Sequence, residues 1–222
     1  MFLGHFGVGF GAKRAAPRAS LGTLFLAAQL IDLLWPAFLL LGWERVSIRP
    51  GITVVTPLDF ESYPFTHSLL AVVLWGLGFA LVYGAIRRYR AGAIVAGLAV
   101  ISHWILDLVV HRPDLPLAPG GARVGLGLWN SLFATLAVEL VVFFGGLWLY
   151  LRVTRARDRI GSFALAGLVG FLLLIYAGNL LGPPPPSVKA IAWAGQAQWI
   201  LVIWAYWIDR HRELSTGIVE FR

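Results

Sequence analysis

The chain has no cysteine among its 222 residues. This excludes thiolate catalysis, Cys-ligated metal sites and a disulfide-stapled secreted module. Charge is scarce too: Asp, Glu, Lys and Arg make up 13% of the chain, against about 25% in soluble domains. With 59% apolar residues, too little polar surface remains to cover a water-facing fold, and a disordered chain is equally excluded. Acids are the scarcer sign, with 11 Asp and Glu against 18 Lys and Arg. No internal repeat is evident.

What the chain does have is long apolar runs. A spanning helix needs about 20 such residues. Transmembrane helices are expected over Leu21–Gly42, Thr66–Ile86, Ala91–His111, Ser131–Leu151, Gly161–Gly182 and Val188–Ile208. The expected fold is all-α, a polytopic integral membrane helix bundle of six transmembrane helices. It forms one membrane domain over residues 1–222, in which 1–115 carry the chemistry and 116–222 add packing. Met1–Ala12 is apolar but too short to cross, and it lacks the charged region and small-residue cleavage site of a signal peptide. Its Gly4, Gly7, Gly9 and Gly11 suit a short re-entrant or interfacial segment. Pro183–Pro186 reads as a stiff loop between helices.

Basic residues alternate across these runs. Lys13, Arg14 and Arg18, then Arg87, Arg88 and Arg90, then Arg152, Arg155, Arg157 and Arg159, then Arg210, Arg212 and Arg222 fall on one side. Arg45, Arg49, Arg112, Arg123 and Lys189 fall on the other. The richer side is expected to be cytoplasmic, and with it both termini. The same alternation accounts for the net charge of +7 without a nucleic-acid partner. Trp43, Trp129, Trp148 and Trp207 near the run ends fit the aromatic belts of a lipid bilayer.

Ionisable groups inside apolar runs are costly and point to function. His103-Trp-Ile-Leu-Asp107-Leu-Val-Val-His111 places three such groups at i, i+4 and i+8, which share one face of a continuous helix. Imidazole and carboxylate one turn apart can bind one ion, and the middle carboxylate can bridge two. The alternative is an interhelical hydrogen-bonded cluster with no ion. Asp32 in the first run and His67 at the outer end of the second lie at depths compatible with Asp107, given the orientation read from the arginines. His5 joins them only if Met1–Ala12 folds back into the membrane.

His5-Phe-Gly-Val-Gly9, Asp32, Thr66-His67-Ser68-Leu69-Leu70 and His103-Trp-Ile-Leu-Asp107 resemble motifs of the bacterial LexA-regulated membrane-bound metal-dependent hydrolases. That family is in turn distantly similar to zinc-dependent phospholipase C. The resemblance covers roughly residues 1–115 and implies a bacterial inner-membrane hydrolase. It implies that Asp32, His67, His103 and Asp107 bind one Zn²⁺, with Asp107 bridging to a second ion completed by His5, and His111 as a further candidate. Mn²⁺ or Fe²⁺ would also accept a mixed His/Asp set. Asp32 stands alone where the family often has two aspartates. No H-x-x-x-E element follows His111, which argues against a third ion.

The expected activity is hydrolysis of a phosphate ester of a lipid or lipid-linked substrate, with Asp107 or Asp32 able to take a proton. Arg112 could pair with a phosphate or serve as an interfacial topology charge. Glu139 could be a base, a ligand or, first in rank, a partner that orients a histidine. Two other classes use the same residues: a divalent-cation or proton-coupled transporter, and a structural protein whose polar cluster only joins helices.

Overall fold

The computed structural model describes residues 1–215; Arg222, grouped above with the cytoplasmic charges, lies outside the described residues. The helices are Leu3–Ala15 (α1), Leu21–Ala28 (α2), Leu30–Leu40 (α3), Leu69–Arg87 (α4), Arg90–Val110 (α5), Leu132–Val153 (α6), Arg159–Leu181 (α7), Val188–Gln196 (α8) and Gln198–Arg210 (α9). The chain is mostly helical but not purely so. Three two-stranded antiparallel ladders close its loops. They pair Arg45–Ile48 (β1) with Leu58–Ser62 (β2), Leu115–Pro116 (β3) with Arg123–Val124 (β4), and Thr154–Ala156 (β5) with Arg212–Leu214 (β6).

Helices α4, α5, α6 and α7 are each long and apolar enough to cross a membrane. Large apolar side chains stand exposed along them, among them Leu74, Leu81, Val82, Phe133, Val141 and Phe163. Such a surface is unfavourable in water and matched by lipid. Helices α2 and α3 make up a fifth span if taken together, bent by 54°. The sixth expected run is divided into α8 and α9. There Gly195 lies so close to α3 that a Cβ would come within 2.4 Å of Pro36 Cγ. Among the described residues four helices, or five counting the bent pair as one, are thus long and apolar enough to cross a membrane, where six spans were expected.

Several helix starts follow local rules. The side chains of Ser68, Ser131, Asp158 and Ser187 each accept from a backbone N–H three residues on. Each thereby satisfies one of the orphan donors of the first turn.

Helix α1 is packed inside the bundle rather than lying at an interface. Leu3, His5, Phe6 and Phe10 on it are buried. Its close approach to α6 depends on Gly7 and Gly146, because a Cβ at Gly146 would sit 1.9 Å from the Gly7 carbonyl oxygen. Phe6 and Phe10 then join Phe25, Phe143 and Tyr150 in one core. Because α1 packs on α6, α2 on α9 and α3 on α8, residues 1–115 and 116–215 interleave.

The basic clusters meet at one end. Arg18 lies over the Tyr89 ring, Lys13 pairs with Asp209, and Arg155 pairs with Glu213. At the other end Asp59 takes both Arg49 and Arg112. Charges far apart in sequence are thus brought together in local pairs.

Candidate metal centre

Helix α5 presents His103 and Asp107 one turn apart, both buried. Asp32 arrives from the first turn of α3, where the positive end of the helix dipole favours a carboxylate. The bend at Gln29 creates that helix start. It also leaves the Ala28 carbonyl among the last, unpaired carbonyls of α2. His67 sits just before α4, placed there because Ser68 caps the helix and starts it at Leu69. His5 comes from α1.

These groups converge. His67 Nε2 lies 3.5 Å from Asp32 Oδ1 and 3.8 Å from Asp107 Oδ2. His103 Nε2 lies 3.5 Å from Asp32 Oδ1 and 3.3 Å from Asp107 Oδ2. The other Asp107 oxygen, Oδ1, faces His5 Nε2 at 3.2 Å and accepts from the Met1 amine. The His5 ring stacks parallel on His103 with centroids 3.6 Å apart. Ligand atoms of Asp32, His67 and His103 lie within 4.8 Å of one another, and so do those of His5, His103 and Asp107.

Proton counting shows what this cluster lacks. His103 Nδ1 is 2.9 Å from the Ala28 carbonyl oxygen. A carbonyl only accepts, so Nδ1 carries the proton and donates. Nε2 is then left facing two carboxylates, buried and without a hydrogen bond. Two buried carboxylates facing one ring nitrogen call for compensating positive charge, which a metal ion or a second ring proton would supply. The buried His/Asp group can therefore hold a metal ion, and its mixed nitrogen and oxygen donors suit a divalent one.

Three residues from the sequence reading stand apart from this cluster. The helix ends at Val110, and His111 is already extended, with φ −64° and ψ 148°. Pro113 disfavours helix at the residue before it and stops the helix early, so the i+8 relation to His103 is lost. His111 Nδ1 turns instead to Asp114 Oδ1 at 2.9 Å, and its ring lines the cavity described below. Arg112 pairs with Asp59 Oδ1 at 2.7 Å and Asp114 Oδ2 at 3.3 Å. Glu139 on α6 accepts from the backbone N–H groups of Phe2 and Gly4 at 3.0 and 2.9 Å. It thus caps the start of α1 and, through that helix, seats His5.

The sequence reading missed Glu44, Tyr63 and Asp114. Glu44 is buried and accepts from Phe65 N, Thr66 N and the Thr66 hydroxyl. Tyr63 donates to Asp114 Oδ1, and burial, followed by the Asp114 carboxylate, holds its phenol above the ordinary range. The spacing of Asp114, one turn beyond His111, was a usable signal. Glu44 had none, since it lies in a loop without periodicity.

The cluster opens into a cavity of about 740 Å³. Asp32, His67, Asp107, His111 and Glu139 line one side, and Trp35, Phe60, Trp129, Phe171, Tyr176 and the Pro183–Pro186 loop line the rest. Among its described lining residues there is no lysine or arginine. Asp32 is the cluster carboxylate most open to it, with 23% side-chain exposure against 2% for Asp107. No protein-family model, no curated protein and no solved structure matches this chain.

Proposed function

We propose that this protein is a membrane-embedded, metal-dependent hydrolase acting on a phosphate ester that carries an apolar body, such as a lipid or lipid-linked phosphate. The observation that carries the reading is the convergence of His67 Nε2, His103 Nε2, Asp32 Oδ1 and Asp107 Oδ2 at the floor of a cavity with aromatic and proline walls. These four groups would hold the ion, and His5 with Asp107 Oδ1 offers a place for a second. Bound there, zinc or a similar divalent cation supplies Lewis acidity toward a phosphoryl oxygen and toward water, and countercharge for an anionic head.

The chain's own residues do the rest. Asp32 faces the cavity and can take a proton from the substrate side. Trp35, Phe60 and Trp129 exclude bulk water from the cluster. His111, oriented by Asp114 and Tyr63, presents its ring to whatever occupies the cavity. The cavity volume falls in the range of small-molecule sites.

A cation carrier is the second reading. It is favoured by the bend of 54° at the helix pair that carries Asp32, since broken helices line transporter sites. Metal analysis of the purified protein, with hydrolysis of a generic phosphodiester, separates the readings. Bound metal and turnover abolished by Asp107→Ala in a folded protein support the hydrolase. Bound metal, cation uptake into liposomes and no turnover favour the carrier, and no bound metal sinks both.

A further inference from the structure

We propose that Glu44 is a positioning residue that fixes the proton of His67 through the Thr66 hydroxyl. This rests on the metal-site reading above and assigns a role to a residue outside the ligand set. Glu44 Oε1 accepts the backbone N–H groups of Phe65 at 2.8 Å and Thr66 at 2.9 Å. Glu44 Oε2 accepts the Thr66 hydroxyl at 2.6 Å. Thr66 Oγ1 is in turn 2.7 Å from His67 Nδ1. A threonine hydroxyl has one proton. It is given to Glu44, so toward His67 the oxygen can only accept. Nδ1 therefore carries a ring proton, which leaves Nε2, facing Asp32 and Asp107, as the nitrogen that can ligate an ion. Glu44, Thr66 and His67 are all buried, at 2%, 0% and 4% exposure, so water does not scramble the direction of the relay.

His103 reaches the same state by a different route, through the Ala28 carbonyl. Two unrelated devices thus put both Nε2 atoms in the ligating tautomer. Such outer partners fix ring orientation and basicity at metal sites, and losing one costs about 10–100-fold in metal affinity.

The chemistry of Glu44→Gln makes the test sharp. The glutamine oxygen must stay where two backbone N–H groups point. Its NH₂ then donates to Thr66 Oγ1, and Thr66 turns its own proton to His67 Nδ1. The ring proton moves to Nε2 and blocks the lone pair. A merely structural glutamate would not invert a tautomer.

The experiment uses the full-length protein in lipid nanodiscs, labelled with ¹⁵N-histidine and titrated with Zn²⁺. In metal-free wild-type protein we expect the His67 proton on Nδ1, and in Glu44→Gln on Nε2, with zinc affinity lowered about 10–100-fold. Thr66→Ser should bind zinc like wild type. Thr66→Val should lose affinity, and adding Glu44→Gln to it should lose no more. If Glu44→Gln fails to fold, the wild-type tautomer and the Thr66→Ser and Thr66→Val pair still decide. A wild-type His67 protonated on Nε2, or a folded Glu44→Gln with unchanged affinity while His67→Ala loses zinc, overturns the relay and leaves the metal site standing. Zinc binding indifferent to His67→Ala overturns the metal-site reading itself.

Discussion

His103 donates from Nδ1 to the Ala28 carbonyl oxygen 2.9 Å away, and that carbonyl is free because the helix breaks at Gln29. One bend therefore does two things: it frees an acceptor that sets a histidine tautomer, and it begins a new helix whose first turn carries Asp32. Straightening the bend would draw the Ala28 carbonyl into an i→i+4 bond and carry Asp32 away from His103.

The first prediction concerns the ion. Crystals of the protein grown with zinc should show an anomalous peak among His67 Nε2, His103 Nε2, Asp32 Oδ1 and Asp107 Oδ2. The peak should vanish in Asp107→Ala, which removes the carboxylate placed between His5 and His103. A peak at the exposed Asp158 and His211 pair alone would contradict the assignment.

Glu139 should behave as a cap. Glu139→Ala leaves the buried N–H groups of Phe2 and Gly4 without their acceptor, at a cost of about 1–3 kcal/mol. Thermal melting should fall, and turnover should fall in step as His5 loses its seat. If the variant melts like wild type but hydrolyses nothing, Glu139 handles a proton instead.

The contact between α1 and α6 should tolerate no side chain. Gly146→Val puts a Cβ 1.9 Å from the Gly7 carbonyl oxygen, far inside van der Waals contact. Overpacking of this kind costs about 1–3 kcal/mol or more. Gly145→Val, on the neighbouring position with open space around its Cβ, is the control and should melt near wild type. Equal melting of the two variants would mean that α1 is not docked on α6.

Arg112 should act through its ion pairs. It is held by Asp59 and Asp114, and Asp114 holds His111. Arg112→Ala should therefore lower kcat for a phosphodiester while KM stays within about twofold, the pattern of lost orientation rather than lost substrate binding. A rise in KM at constant kcat would instead place the guanidinium on the substrate.

Sidedness is open to direct labelling, because the chain has no cysteine of its own. Ala122→Cys and Arg157→Cys are both exposed positions, at opposite ends of the bundle. A membrane-impermeant maleimide should reach them from opposite sides of sealed vesicles. Labelling of both from one side would refute the orientation drawn from the basic residues.

Composition and hydropathy were enough to expect long apolar helices, and four of the helices are long and apolar enough to cross a membrane. The i, i+4 pair of His103 and Asp107 was legible because helix periodicity fixes that neighbourhood. The i+8 extension to His111 failed because the helix, with Pro113 close behind it, ends at Val110, one residue short of His111. Glu44 was not legible at all: its role depends on a loop folding over Thr66, and no periodicity records that contact.

By itself the sequence determined which residues are buried in apolar surroundings, which end of each helix is basic, and that acids and imidazoles share one half of the bundle. Only the tertiary structure decided which of them meet and which atoms each ring nitrogen faces. Those outcomes depend on a bend at Gln29, a glycine contact between α1 and α6, and a buried carboxylate far along the chain. Periodicity describes one helix at a time, whereas a metal site is made by atoms from several elements brought within a few ångströms of each other.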